Sequence, residues 1–154
     1  MKCYYNNEEA TREAFDGDWF KSGDIVYYDE TGMFHLVGRS KELIKCYGLP
    51  VSPLDFEIVL TSHPQVRDAG VISVFDDITI EKAIAFVVPK LDVEIDTEEL
   101  KRFVASQVSP HKILSQIIVI EALPRNPNGK ILKRVLKERY NLMLAEERIS
   151  ARPS

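Results

Sequence analysis

Val66-Arg67-Asp68-Ala69-Gly70-Val71-Ile72-Ser73-Val74-Phe75 and, soon after it, Ala83-Ile84-Ala85-Phe86-Val87-Val88-Pro89 decide the fold. Both runs have the β-branched and aromatic content that fits a pleated, buried surface. Pro89 stops the second because it has no N–H to give to a ladder. Helix signals flank the pair. Upstream, Ser52 stands as an N-cap with Pro53 at the first helical position and Asp55 three residues after the cap. Leu54, Ile58 and Val59 then supply an apolar face, and the helix is expected to end near His63-Pro64. Downstream, Asp96-Thr97-Glu98-Glu99 reads as an acidic capping box, opening a helix whose inward stripe is Leu100, Phe103, Val104 and Val108. A short strand follows at Ile117-Ile118-Val119-Ile120. After a turn-rich loop, a last helix is expected from about Lys130 or Ile131 toward Leu144, with Leu132, Val135, Leu136 and Leu142 on its packed side. Such alternation around one small sheet is α/β (α+β): a small mixed sheet flanked by helices.

Further toward the amino terminus, Ile25-Val26-Tyr27-Tyr28, the turn Asp29-Glu30-Thr31-Gly32 and Met33-Phe34-His35-Leu36-Val37 form a hairpin pattern. Gly38-Arg39-Ser40-Lys41-Glu42 reads as a polar connector. The first 20 or so residues are polar and aromatic, with Asp16-Gly17-Asp18-Trp19 marking a turn. With 154 residues, a formal net charge of −4 and 45% hydrophobic content, the chain suits one compact domain with a flanking piece and is too apolar for a disordered one. The acidic balance argues against broad nucleic-acid binding, which needs a basic face. No run of about 18 apolar residues is present, and Met1 to Glu9 lacks the apolar core of a secretory signal, so an intracellular, cytoplasmic protein is expected. Cys3 and Cys46 cannot make a disulfide framework, no Cys/His cluster has zinc spacing, and no metal-ligating residue is expected. His35, His63 and His111 stand isolated and read as structural or surface residues.

Four places carry candidate chemistry. In Ser22-Gly23-Asp24, a carboxylate beside a glycine turn can accept hydrogen bonds from both hydroxyls of a ribose-like diol; read locally, it is a solvated turn residue. In Gly38-Arg39-Ser40-Lys41-Glu42-Leu43-Ile44-Lys45, Arg39 offers a planar fork to phosphate or ribose oxygens, and Lys41 and Lys45 would share a face if the segment were helical. In Lys45-Cys46-Tyr47-Gly48, the glycine permits close backbone approach and the lysine suits an anion, while Cys46 has no neighbouring base to activate it. The fourth is Pro124-Arg125-Asn126-Pro127-Asn128-Gly129-Lys130. A single ammonium on a stiff loop is how a site neutralises charge developing between a carboxylate and a phosphate. Lys130 as a plain helix start is the bland alternative, disfavoured by the helix dipole.

In order and spacing, these segments together with Glu57 resemble the carboxyl-terminal part of the adenylate-forming (AMP-binding) enzymes. The wording is nearest the coumarate-CoA ligase, acyl-CoA synthetase and firefly-luciferase-like branch, over Tyr4 to Tyr140. The sequence departs from the usual pattern at Ser22 (commonly Thr), Pro50 (often Gln), and Ile80 and Ala83 (tending to Gly and Pro). The resemblance implies an enzyme that joins a carboxylic acid to ATP, giving acyl-adenylate and pyrophosphate, and then rotates a lid so that CoA attacks and leaves acyl-CoA and AMP. It assigns Asp24 and Arg39 to the nucleotide, Lys41 to the hinge, Lys130 to adenylation as the catalytic lysine, and Lys45 and Gly48 to the CoA side. It divides the chain into residues 1–38 (the edge of a large amino-terminal domain, with the hairpin), 39–42 (hinge), 43–140 (lid) and 141–154 (tail).

The phosphate loop and acid pocket of such enzymes belong to that large domain, as does any Mg2+, so this chain is expected to be a lid fragment inactive alone. The alternatives are a non-catalytic interaction module, a piece of a luciferase-like monooxygenase, or a small nucleotide- or RNA-binding domain, the last opposed by the acidic charge. Relatives are often peroxisomal, but Ser150-Ala151-Arg152-Pro153-Ser154 does not match a Ser-Lys-Leu ending.

Overall fold

The computed structural model describes residues 1–150, apart from the side chains of Arg148 and Ser150, and divides into two compact units, Met1–Lys41 and Glu42–Ser154. The first unit opens on a helix that the polar reading of this segment missed, α1 (Glu8–Ala14). Asn7 caps it, accepting the Ala10 N–H at 2.9 Å, with Glu8 and Glu9 in the first turn and Arg12 in the last to suit the helix dipole. Its apolar content is too low for a periodic signal. The expected Asp16–Trp19 turn then joins β1 (Phe15–Asp16) to β2 (Trp19–Phe20). The expected hairpin is β3 (Asp24–Tyr28) with β4 (Phe34–Arg39). Asp29 organises its turn: Oδ1 accepts the Thr31 and Met33 N–H groups and Oδ2 meets His35 Nε2 at 2.7 Å. These bonds, the Thr31 hydroxyl foremost and His35 next, hold the Asp29 carboxyl down at about 2. Gly38 and Arg39 belong to β4, so the supposed connector shrinks to one 3-10 turn, Ser40–Glu42. Lys45 lies on a strand beyond it, and the helical face shared with Lys41 does not form.

The second unit begins with a hairpin that the sequence pattern does not announce, β5 (Ile44–Cys46) and β6 (Leu49–Val51). Its link is Tyr47 and Gly48, with φ of 50° and 78°, the left-handed pair that a two-residue hairpin requires. Helix α2 (Pro53–Ser62) starts and stops as expected, although Ser52 makes no side-chain capping bond to it. Its buried face is Pro53, Phe56 and Leu60 with Val59 partly buried beside them, so the expected face is rotated and Ile58 points to solvent. Next come β7 (Val66–Asp76), β8 (Ile80–Pro89), α3 (Thr97–Gln107), β9 (Leu114–Val119) and α4 (Lys133–Ser150). Strand β9 starts three residues earlier than its most apolar part suggested.

Helix α4 begins after Lys130 because the loop spends its amides elsewhere: Leu132 N–H donates to Pro124 O, and Arg125 bridges Ile131. It also continues past Leu144, burying Leu136 and Tyr140 with Met143 and Leu144 packed beside them; Leu142 is exposed. Residues 151–154, the close of the expected tail, lie outside the described part.

The five-stranded sheet runs β6-β5-β8-β7, with β9 also paired to β8. All pairings are antiparallel except β8 with β9, which makes the sheet mixed, as expected. Alternation along β8 feeds two cores. Ala83, Ala85 and Val87 join Phe56, Leu60, Leu100 and Val104 under α2 and α3. Ile84, Phe86 and Val88 join Ile72, Ile118 and Leu136 under α4. Helices thus cover both faces of the sheet.

Two stability outcomes follow. Phe86 is 0% exposed, so Phe86→Ala is expected to cost about 3–5 kcal/mol in urea unfolding, the range for emptying a buried aromatic site. Asp96 caps α3 by accepting the Glu98 and Glu99 N–H groups, and these bonds hold its carboxyl below the usual range. A folded-state pKa lowered in this way adds stability above the unfolded value of about 4, and that stability is lost as pH falls through the folded value. Asp96→Ala is therefore expected to lower the thermal midpoint at about pH 7 and much less at about pH 2, with Asp96→Asn retaining most of the cap.

Candidate functional site

In the first unit the site residues sit at the mouth of the β3–β4 hairpin. Its register places Asp24 opposite Arg39, and Arg39 Nε meets Asp24 Oδ1 at 2.7 Å. Arg39 Nη1 also donates to Ser22 O at 3.1 Å, and the Asp24 N–H reaches Ser22 Oγ at 3.2 Å. Gly23, at φ 77°, turns the chain so that its carbonyl accepts the Ser40 N–H at 2.8 Å. Asp24 and Arg39, which stand in two separate sequence motifs, are therefore one ion pair. An ionised carboxylate has about four lone-pair sites, so Asp24 keeps acceptors for hydroxyls beside its arginine. Lys41 follows in the 3-10 turn, exposed, as the last residue of this unit.

In the second unit, Lys130 closes a turn locked by its own backbone. Asn126 Oδ1 accepts the N–H groups of Asn128 and Lys130 at 3.0 and 2.8 Å. Asn126 N–H donates to Lys130 O, and Gly129 N–H to Asn126 O, both at 2.9 Å. Gly129 takes φ 83°, which its lack of a Cβ permits. The Lys130 side chain is 71% exposed and its ammonium is 3.9 Å from Glu42 Oε1. A contact so long and so wet costs little to leave. Lys130 therefore belongs to a loop and not to a helix start.

Beside it lies a tighter group in which Glu42 and Glu57, both within the segments named above, meet a lysine that the sequence does not single out. Lys133 Nζ meets Glu42 Oε2 at 3.0 Å and Glu57 Oε1 at 3.4 Å, and Glu57 Oε1 also accepts the Val71 N–H at 2.9 Å. Glu42 and Lys133 are 91 positions apart, a separation that leaves no local signal.

Lys45 and Gly48 are held elsewhere, on the β5–β6 hairpin. The Lys45 N–H donates to Glu81 Oε2 at 2.7 Å while its side chain stays exposed, and Tyr47 N–H donates to Thr79 O at 3.0 Å. A Cβ built on Gly48 would meet nothing within 4 Å. The positive φ of 78° at Gly48 serves the turn, and the space beside it is open. Cys46 is buried, which pushes its thiol up from the ordinary value. Of the isolated histidines, His35 pairs with Asp29 and His63 is buried edge-on to Phe103. Among the described residues, no group of three or more His, Cys, Asp or Glu side chains could hold a metal ion, and no helix is long and apolar enough to cross a membrane.

Comparison with known proteins agrees with these segments. Residues 55–130 match the AMP-binding enzyme C-terminal domain. Over 137 residues the chain is 41% identical to 4-coumarate–CoA ligase-like 2 of Arabidopsis thaliana, covering 88% of this chain and 24% of that protein. It is 39% identical over 140 residues to 4-coumarate–CoA ligase 3 of Oryza sativa subsp. japonica, covering 90% of this chain and 25% of the relative. Among solved structures, o-succinylbenzoate CoA synthetase from Bacillus subtilis, in complex with its acyl-adenylate intermediate, superimposes with a TM-score of 0.81 at 33% identity, over 89% of this chain and 28% of that one. ATP-bound MatB from Rhodopseudomonas palustris gives 0.83 at 32% identity, over 90% and 28%. The chain thus spans about a quarter of the length of the curated relatives it matches. With its fold, its motifs in order and these identities, the chain belongs to the AMP-binding enzyme C-terminal domain family, within the adenylate-forming enzymes.

Proposed function

We propose that this chain acts as the mobile lid of an ATP-dependent carboxylic acid–CoA ligase. In the first half-reaction a carboxylate oxygen attacks the α-phosphorus of ATP, pyrophosphate leaves and an acyl-adenylate forms. In the second, the thiol of CoA attacks the acyl carbon and AMP leaves. The observation that carries the reading is Lys130: a 71% exposed ammonium at the end of a hydrogen-bonded turn. An ammonium that can be brought between a carboxylate and a phosphate stabilises the charge that builds there. Asp24 accepts from the ribose hydroxyls while Arg39 steadies it and reaches toward ribose or phosphate. Rotation is absorbed at residues 39–42 about Lys41, a reading supported by the division of the structure between Lys41 and Glu42. Lys45 and Gly48 face the CoA substrate in the second step.

Exposed apolar residues in the first unit, including Trp19 at 82%, Tyr28 at 74% and Phe34 at 73%, support a larger domain packing on that unit. Acid specificity, the adenine pocket and any Mg2+ would then belong to that domain. The enzyme works inside the cell, where ATP and CoA are; one relative, 39% identical over 137 residues, is named Peroxisomal OPC-8:0-CoA ligase 1 of Arabidopsis thaliana.

The test is complementation. Mixed with the lidless large domain of a related 4-coumarate–CoA ligase, the chain is expected to restore ATP–pyrophosphate exchange. Lys130→Ala should remove about 100-fold or more of that exchange, while thioester formation from supplied acyl-adenylate stays within a few-fold. Binding with no restored exchange would instead favour an interaction module. In the same assay Asp24→Ala is expected to raise the KM for ATP about tenfold or more, because it removes binding made in both ground and transition state.

A further inference from the structure

We propose that Asp68 and Arg125 are positioning residues that clamp the Lys130 loop to strand β7. This inference rests on the reading of Lys130 as the adenylation lysine and adds the means by which its backbone is held. A lysine stem of four methylenes has no direction of its own, so the place from which its ammonium can reach is fixed by the backbone that carries it. The bonds within Asn126–Lys130 make the turn rigid but do not tie it to the sheet.

That tie is made by one guanidinium. Arg125 Nη2 lies 2.9 and 2.7 Å from the two oxygens of Asp68, and Arg125 Nη1 donates to the carbonyl of Gly129, the residue before Lys130. A planar fork serves both partners at once, which the point charge of a lysine cannot do. Asp68 itself is fixed. It sits just past a register shift between Val66 and Asp68, the kind of bulge that re-aims a side chain, and its Oδ1 accepts the Ala69 N–H at 3.0 Å.

Two residues on, Gly70 gives a second attachment. A Cβ there would stand 3.3 Å from Leu123 and 3.4 Å from Ile131, the residues that flank the loop. Strand β7 thus holds the loop at Asp68 and receives its two flanks at Gly70. Misplacement of a reacting group by about 1 Å can cost on the order of 100-fold in rate, which sets the scale of what such a clamp protects.

Amide hydrogen exchange on the whole chain reads the clamp without turnover. Arg125→Lys and Asp68→Asn are each expected to speed exchange of the Asn128 and Lys130 amides about tenfold or more, leaving the β8 amides as in the parent. The two changes together should do no more than either alone, as for partners in one interaction. For catalysis, the chain is fused behind the amino-terminal three quarters of a 4-coumarate–CoA ligase. There each variant is expected to lower the adenylation kcat about 10- to 100-fold, keep the KM for ATP within about twofold, and spare thioester formation from supplied acyl-adenylate. Unchanged Lys130 exchange in both variants overturns the proposal, and so does an equal loss in the two half-reactions. Lys130→Ala, run alongside, separates the failures. If it keeps full adenylation, the underlying assignment of Lys130 falls and positioning falls with it. If it loses adenylation while Arg125→Lys and Asp68→Asn do not, only the clamp falls.

Discussion

Burial of β8 on both faces and both edges is the constraint on which the rest of the lid depends. Ala83 through Val87 are 0% exposed, so each of their peptide groups must find a partner in a ladder. Strand β7 supplies one edge, and β9 with the tip of β5 supplies the other. The side chains then sort by size. Small Ala83 and Ala85 leave room for α2 and α3 to approach with Phe56, Leu60, Leu100 and Val104, while Ile84 and Phe86 fill the space beneath α4. Both candidate faces hang from this strand. The Lys130 loop is tied to β7 at Asp68 and packed against it at Gly70, and the Lys45–Gly48 hairpin is joined to β8 through Cys46 opposite Ile80.

This core was legible in the sequence because its signals are local and redundant. The β7 and β8 runs, the Asp96 cap and the Leu100–Phe103–Val104 stripe each announce one element without help from the others. What was not legible is decided by competition for the same backbone groups. A helix beginning at Lys130 satisfies the apolar pattern, yet Leu132 N–H is already spent on Pro124 O and the Lys130 N–H on Asn126. The face of α2 was misjudged for a related reason. Leu54, Ile58 and Val59 are as apolar as Pro53, Phe56 and Leu60, and composition alone does not say which group meets β7. The short hairpin β5–β6 escaped because three-residue strands carry too little pattern, although Tyr47-Gly48 suits the left-handed pair its turn needs.

The candidate site divides along the same line. The motifs themselves were readable, and in the structure Asp24, Arg39, Lys45, Gly48 and Lys130 lie exposed at turns, strand ends or an ion pair. Pairings were not. That Asp24 and Arg39 form one ion pair follows from the register of the hairpin, which shifts by one residue between Ile25 and Val26 and so brings Arg39 opposite Asp24. Glu42, Glu57 and Lys133 came from three separate segments, and none has a neighbour in sequence that hints at the other two.

Two lysines three positions apart show why the late start of α4 matters. Lys133 is mostly covered, with a side chain 26% exposed, and it neutralises Glu42 and Glu57 at 3.0 and 3.4 Å. Lys130 shares the Glu42 carboxylate only at 3.9 Å and remains 71% exposed. Had the helix begun at Lys130, its ammonium would sit at the positive end of the helix dipole, where cations are disfavoured. Its backbone N–H would also be left among the unpaired amides of a first turn. The locked turn avoids both. It satisfies the Lys130 amide with Asn126 and leaves Lys133 to hold the carboxylates. Lys130 is left with a fixed backbone and a loosely held charge, the combination on which the proposed adenylation role rests.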